Sequence, residues 1–263
     1  MRWGLRSTRQ RFFAPQHHLR PSFGSLSNAA AIPKSSQAYA VILTRENSSH
    51  APSERELERR FGGPKAGDTI VLAMSGGVDS SLCASLLRSS PLNFDLRGVY
   101  MRNWNTLDES TEFEPGSGGA SGCEWQREWK DVQAVCEHLG GIPLQMKDLS
   151  KEYWTNVFEP ALDCWAEGRT PNPDVSCNRE IKFGALVKVL FQDGDPELKQ
   201  RAADGKAWLA TGHYAGIRWE RDEEGRPRPR LTRCKDENKD QSYYLSSVSE
   251  EALALVSFTF LTY

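Results

Sequence analysis

The chain has 263 residues, 38% of them hydrophobic and 26% charged, with a formal net charge of −2. That is the profile of a globular protein with one large or two small domains. No apolar run reaches the ~20 residues needed to cross a bilayer, and six scattered cysteines are too sparse for a disulfide scaffold, so no membrane role and a reducing compartment are expected.

The charge is uneven. The first 45 residues hold seven Lys or Arg and no acid, leaving 26 basic against 35 acidic side chains in the rest, a net of −9. The leader "MRWGLRSTRQRFFAPQHHLRPSFGSLSNAAAIPKSSQAYA" is rich in Arg and Ser and has no long apolar core. This is the composition of a mitochondrial transit peptide rather than a secretory signal; the plainer alternative is a disordered basic tail. Residues 46–67 read as a linker with a short helix at "SERELERRF".

An α/β rhythm begins at Thr69. "TIVLAM", "DLRGVYMR", "IPLQMKDL" and "AWLATGHYAGI" are strand candidates, short and rich in apolar or β-branched residues. Helix candidates alternate with them: "SSLCASLLRS", "WKDVQAVCEHLGG", "KEYWTNVFEPALDCWAEG" and "NREIKFGALVKVLFQ". In the third, Trp154, Val157, Phe158, Ala161, Leu162 and Trp165 fall at 3–4 spacing and predict one buried face. "TLDESTEFEPGSGGASG" is a polar surface loop. The alternation predicts a doubly wound parallel sheet of Rossmann type over residues 68–230, with ligands at the strands' carboxyl ends.

Between the first strand and helix lies "AMSGGVDSS", residues 73–81. Gly76 and Gly77 let backbone N–H groups approach an anion, and the helix that follows points its positive end there. Ser75, Ser80 and Ser81 add hydroxyls. The Walker lysine is missing, and Val78 and Asp79 follow the glycines instead. An acid beside a phosphate makes sense if it holds Mg²⁺ between them. An ordinary glycine-rich turn is the structural alternative.

"SGGVDSS" resembles the pyrophosphate-loop signature of ATP pyrophosphatases, enzymes that split ATP between the α and β phosphates. "GVYMRNW", "RTPNPDVSCNREIKFGAL", "LATGHYA" and "KDENKDQSYYLSSV" follow in order. Together they resemble the tRNA-specific 2-thiouridylases, which replace O2 of the wobble uridine with sulfur. The resemblance runs from about Asp68 to Leu253, and with the basic leader it is to the mitochondrial form.

The resemblance implies ATP and Mg²⁺ as cofactors, with tRNA and a persulfide sulfur donor protein as partners. It assigns Ala73, Met74, Ser75, Gly76, Gly77, Val78, Asp79, Ser80, Met101 and Gly212 to the nucleotide. Asn172, Pro173 and Asp174 would touch the target base, and Lys239, Asp240 and Gln241 the tRNA. Cys177 resembles the catalytic cysteine that attacks the persulfide, with Asp174 as acid/base or base-positioning group. Cys177 is expected in a loop just before "REIKFGALVKVL", where a helix N-terminus favours thiolate. Without the resemblance, a lone loop cysteine reads as inert, Met101 as core, and Lys239–Gln241 as a solvated turn. His213 is as readily a structural hydrogen-bonding group as a phosphate contact.

Cys83 and Cys164 read as core residues, and no CxxC pair suggests zinc or an iron–sulfur cluster. "RPRPRLTRCK" (226–235) is either a phosphate-contacting patch or a solvent-facing hairpin. After Leu253 the family would continue through a central domain and a β-barrel and supply the persulfide-bearing cysteine. Residues 231–263 are therefore expected to begin a truncated central domain, and this chain to bind ATP without making 2-thiouridine. The rivals are another pyrophosphate-loop ligase, amidating or lysidine-forming, and a non-enzymatic ATP- or tRNA-binding fragment.

Overall fold

The computed structural model describes residues 51–104 and 124–258. The leader, the polar loop with Cys123, and the last five residues lie outside the described residues. Helix α1 spans Glu54–Arg60, followed by β1 (Thr69–Met74), α2 (Val78–Arg88), β2 (Asp95–Arg102), α3 (Glu124–His138) and β3 (Leu144–Asp148). A continuous helical stretch then runs through α4 (Ser150–Tyr153), a π-helical turn (Trp154–Phe158) and α5 (Glu159–Ala166). A second runs through α6 (Pro173–Ser176), a π-helix (Cys177–Ala185) and α7 (Leu186–Phe191). The chain continues with α8 (Pro196–Ala203), β4 (Ala207–Thr211), β5 (Gly216–Arg221), β6 (Pro227–Thr232), a 3-10 turn (Ser242–Leu245), α9 (Glu250–Ala254) and β7 (Val256–Phe258).

Five strands form one parallel sheet in the order β3-β2-β1-β4-β7, and β5 with β6 forms an antiparallel hairpin. The expected doubly wound architecture is therefore present. Alternate residues of β1 divide between its two faces: Val71 joins the core under the π-helix, α7 and α8, while Ile70, Leu72 and Met74 join the core under α2 and α3. A parallel sheet needs both faces covered, which is why its strands read as nearly continuous apolar runs. From β1 the chain moves outward to β2 and β3, then returns to the other side of β1 to place β4. The switch in strand order thus falls between β1 and β4, where such sheets bind ligands.

Two segments are built into this unit in ways that their sequences do not announce. The short β7 pairs parallel with β4, and Val256 and Phe258 are buried. Residues expected to open a further domain instead complete this sheet, because their apolar side chains cover its edge. The second segment is α1, within the stretch expected as a linker. The Arg60 side chain is fully buried, donates to the carbonyls of Ala207 (2.8 Å) and Ala202 (2.9 Å), pairs with Glu56 and stacks on Trp208. Asp68 takes the Trp208 indole N–H at 3.0 Å and pairs with Arg59.

Arg60→Ala would take the guanidinium from the buried Ala207 carbonyl and one of two donors from that of Ala202, and open a cavity against Trp208. The expected loss is about 3–5 kcal/mol in urea unfolding. A loss below about 1 kcal/mol would show that Arg60 does not hold α1 to the sheet.

Candidate active site

The loop after β1 is shaped by its own serines and glycines. Gly76 has φ +75, and a Cβ there would lie 3.2 Å from the Glu128 carbonyl of α3, so glycine is required on both grounds. The Ser80 hydroxyl donates to the Gly77 carbonyl (3.1 Å) and accepts from the Ser75 N–H (3.2 Å); the Ser81 hydroxyl also donates to Gly77 (2.9 Å). These two hydroxyls tie the loop together, because a serine in the first helical turn readily bonds back to the carbonyl three or four residues earlier. In the structure both hydroxyls are engaged within the loop. Gly77 caps α2 with no side-chain hydrogen bond, so the amides of the first turn have no capping side chain. Ser75, Gly77, Val78 and Asp79 are exposed around that opening, while Ala73 and Met74 anchor it from the strand.

Gly212, at the end of β4, closes the other side. A Cβ at Gly212 would come within 3.3 Å of the Asp79 Cβ and the Ser80 amide nitrogen, so β4 and the start of α2 meet at the switch point through a glycine. Met101 sits near the end of β2, half-buried against the core.

Asp79 is exposed, and its Oδ1 accepts a hydrogen bond from the Tyr214 hydroxyl at 2.9 Å. That bond, with the charge of Asp79, raises the Tyr214 phenol above its usual pKa. Among the described residues Oδ2 takes no hydrogen bond. That open carboxylate oxygen is a donor that could hold a Mg²⁺ ion.

Tyr214 in turn is held by the 239–241 segment. Its N–H donates to Gln241 Oε1 (3.0 Å), the Gln241 N–H donates to its carbonyl (2.8 Å), and the Lys239 ammonium lies 5.0 Å over its ring. Asp240 accepts from the Cys234 N–H and the Ser242 hydroxyl and shapes the turn. Lys239 is the exposed charge of the three. Nothing in the sequence marks Tyr214 as a site residue beyond its position two residues after Gly212.

The cysteine half of the site is helical. Asn172 Oδ1 accepts from the Val175 N–H and Pro173 occupies the first helical position, so the helix starts at Pro173 and Cys177 lies beyond its first turn. The expectation of a loop cysteine activated by a helix N-terminus is corrected here. Burial pushes the Cys177 thiol above its ordinary pKa; Asp174 adds to the rise and the Lys182 charge opposes it. Lys182 comes into reach because the segment is a π-helix. Its hydrogen bonds run to the fifth residue, as from the Leu186 N–H to the Ile181 carbonyl, so a residue five places on returns to a neighbouring face. Tyr153 of α4 faces the same pair: burial, then the charges of Cys177 and Asp174, raise its phenol. Asn172 and Asp174 are exposed beside it.

His213 joins the two halves. It follows Gly212, contacts the Thr211 hydroxyl through Nδ1 at 2.7 Å and stacks near Phe183 of the π-helix. Burial, and secondarily the Lys182 charge, pulls its pKa down to about 3, so it is neutral at physiological pH. Lys182 therefore acts on both Cys177 and the residue next to Gly212.

Other candidates settle elsewhere. Cys83 is buried as expected, whereas Cys164 is only partly so. No group of metal-ligating side chains occurs among the described residues. In the β5–β6 hairpin, Arg226 pairs with Asp222 and Glu224, and Arg228 with Glu250 and Asp222, so neighbouring acids neutralise part of that basic run.

A parallel doubly wound sheet with an uncapped glycine-rich loop at its switch point defines an α/β domain of the class that takes ligands at that place. Residues 68–262 match the family model described as "tRNA methyl transferase HUP domain", and the chain belongs to that family. It is 42% identical over 201 residues to the mitochondrial tRNA-specific 2-thiouridylase 1 of Schizosaccharomyces pombe, covering 76% of this chain and 43% of that protein. It is also 42% identical over 189 residues to the tRNA-specific 2-thiouridylase MnmA of Pediococcus pentosaceus, covering 72% of this chain and 43% of that protein. The MnmA of Staphylococcus saprophyticus is 40% identical over 189 residues, covering 72% and 44%. The chain thus spans less than half the length of these curated relatives.

Proposed function

We propose that this chain is the nucleotide-binding part of a tRNA-uridine 2-sulfurtransferase that uses ATP to thiolate the wobble uridine of mitochondrial tRNA. The observation that carries the reading is the junction of the two half-sites: Gly212 packs on Asp79, and His213 beside it lies against Phe183 of the π-helix that begins at Cys177. The names of the relatives support the substrate and the reaction, and the yeast relative supports the compartment. Residues 1–45 are proposed as the import signal. The family description speaks of methyl transfer, but a phosphate cradle with a metal-holding acid suits adenylation.

The C2 carbonyl of uridine is a poor electrophile with a poor leaving group. ATP supplies the adenylyl group that makes O2 leave as AMP. The amides of residues 76–80 would hold the departing pyrophosphate, Asp79 would hold Mg²⁺, which would neutralise phosphate charge, and Gly212 and Met101 would flank the adenosine. Asn172, Pro173 and Asp174 hold the uridine, and Asp174 exchanges the proton of the ring nitrogen. Sulfur comes as a persulfide from a donor protein. The donor passes this sulfur to the persulfide-bearing cysteine that the further length of the relatives would supply, and the outer sulfur of that persulfide bonds to C2 as AMP leaves. The Cys177 thiolate then attacks the inner sulfur, the sulfur–sulfur bond breaks, and sulfur stays on the base. The disulfide formed at Cys177 is reduced by an external thiol.

The test uses the protein carrying this chain together with the further length that its relatives have. With unmodified tRNA, Mg-ATP and a persulfide donor, nucleoside mass spectrometry is expected to find 2-thiouridine, with AMP and pyrophosphate formed one for one. Release of AMP without tRNA, or tRNA-dependent release with an unthiolated wobble base, overturns the reading.

A further inference from the structure

Tyr214 sits between two parts of the site that the chemistry uses separately. On one side its hydroxyl holds Oδ1 of Asp79, the acid of the phosphate loop, 135 residues away in sequence. On the other, its backbone N–H and carbonyl are both paired with Gln241, and its ring lies under Lys239. The pairing with Gln241 is reciprocal, so the main chain at 214 and the 239–241 turn move as one piece. The turn is braced from behind by Asp240, which accepts from Cys234 and Ser242. An exposed ammonium at its tip offers a phosphate contact. A polyanion that draws Lys239 off the ring pulls on the same tyrosine that positions the metal-holding acid.

We propose that Tyr214 is a positioning residue that couples RNA engagement at Lys239–Gln241 to the setting of Asp79 in the phosphate loop. The inference rests on the proposed function, since it takes tRNA as the polyanion. It makes tRNA a partner in assembling the nucleotide site as well as the acceptor of the adenylyl group. Because coupling between two binding sites is reciprocal, bound Mg-ATP must then also tighten the hold on tRNA. The contact of the exposed Lys239 side chain with the Tyr214 ring and hydroxyl is weak beside a phosphate contact, whereas the hydrogen bonds to Gln241 carry the displacement to the main chain.

Tyr214→Phe keeps the ring under Lys239 and both bonds to Gln241 and removes the hydroxyl, which bonds Asp79 and also interacts with Lys239. Equilibrium dialysis of Mg-ATP with and without tRNA reads the coupling, filter binding reads tRNA affinity in each nucleotide state, and exchange of labelled pyrophosphate into ATP reports uridine activation. In the wild type, tRNA is expected to tighten Mg-ATP binding and Mg-ATP to tighten tRNA binding by the same factor. In Tyr214→Phe, tRNA affinity without nucleotide stays within about twofold, while both mutual effects fall by about tenfold, within the usual span of coupling factors. Gln241→Ala, which removes the side-chain half of the link and leaves the Gln241 N–H bond to the Tyr214 carbonyl, is expected to give a smaller loss in the same direction. Wild-type coupling in Tyr214→Phe overturns the inference and leaves the proposed function standing. A wild type with no tRNA-dependent exchange overturns both, so the two failures are distinct.

Discussion

Cys177→Ser is expected to abolish 2-thiouridine formation, by at least about 10³-fold, while leaving tRNA-dependent pyrophosphate exchange intact. Serine keeps the size and the helical position but cannot attack sulfur at neutral pH. Uridine activation uses other residues, so it survives. The structure adds a pH dependence. Burial and Asp174 hold the thiol above its ordinary pKa, so the thiolate is a minor species near pH 7 and grows as pH rises through and beyond the usual thiol range. Alkylation of Cys177 by iodoacetamide should therefore climb at higher pH than that of a free thiol. Lys182→Met should move the curve higher still, because it removes the charge that opposes the rise. Thiolation by Cys177→Ser, or an alkylation curve centred below that of a free thiol, would remove Cys177 from this role.

The second large effect belongs to the phosphate loop. Asp79→Ala should lower pyrophosphate exchange by about 10²–10³-fold, since the phosphates would lose the acid proposed to hold their metal. Asp79→Asn separates two roles. Its side-chain oxygen can still accept from the Tyr214 hydroxyl, but the charge is gone. If the carboxylate serves Mg²⁺, Asn should be nearly as damaging as Ala. If Asp79 serves only to position Tyr214, Asn should exchange at close to the wild-type rate, and the metal role fails. Raising Mg²⁺ should partly restore the Asn variant but not one carrying a Cβ at Gly212, which would press on the Asp79 and Ser80 backbone.

The strands and the phosphate loop were legible in the sequence because their signals are local. β1, β2 and β4 are short apolar runs whose neighbours along the chain suffice to mark them. The loop's glycines are fixed by backbone demands at Gly76 that hold wherever the loop sits. The helical face from Trp154 to Trp165 was not legible. A 3.6-residue period predicts all six apolar residues on one buried side, yet only Val157 and Ala161 are buried, while Trp154, Leu162 and Trp165 are 45%, 43% and 52% exposed. The π-helical turn at Trp154–Phe158 changes the period within that stretch, so the count drifts off the face. The environment of Cys177 was misjudged for a related reason: the Asn172 cap starts the helix earlier, and a π-helix brings Lys182 round to it.

What the sequence determined alone is the set of parts: parallel strands, a phosphate loop without lysine, and a cysteine in a Pro/Asn-rich stretch. Only the tertiary structure decided how they meet. Tyr214 reaches Asp79, Gly212 packs on the start of α2, and β7 closes the sheet beside β4. Those contacts join residues up to 135 positions apart, and they arise from the strand order, which returns the chain across β1. Local pattern records which side chains are apolar and where the backbone must turn. It carries no record of which strand ends become neighbours, because that is fixed by burying both faces of the sheet at once.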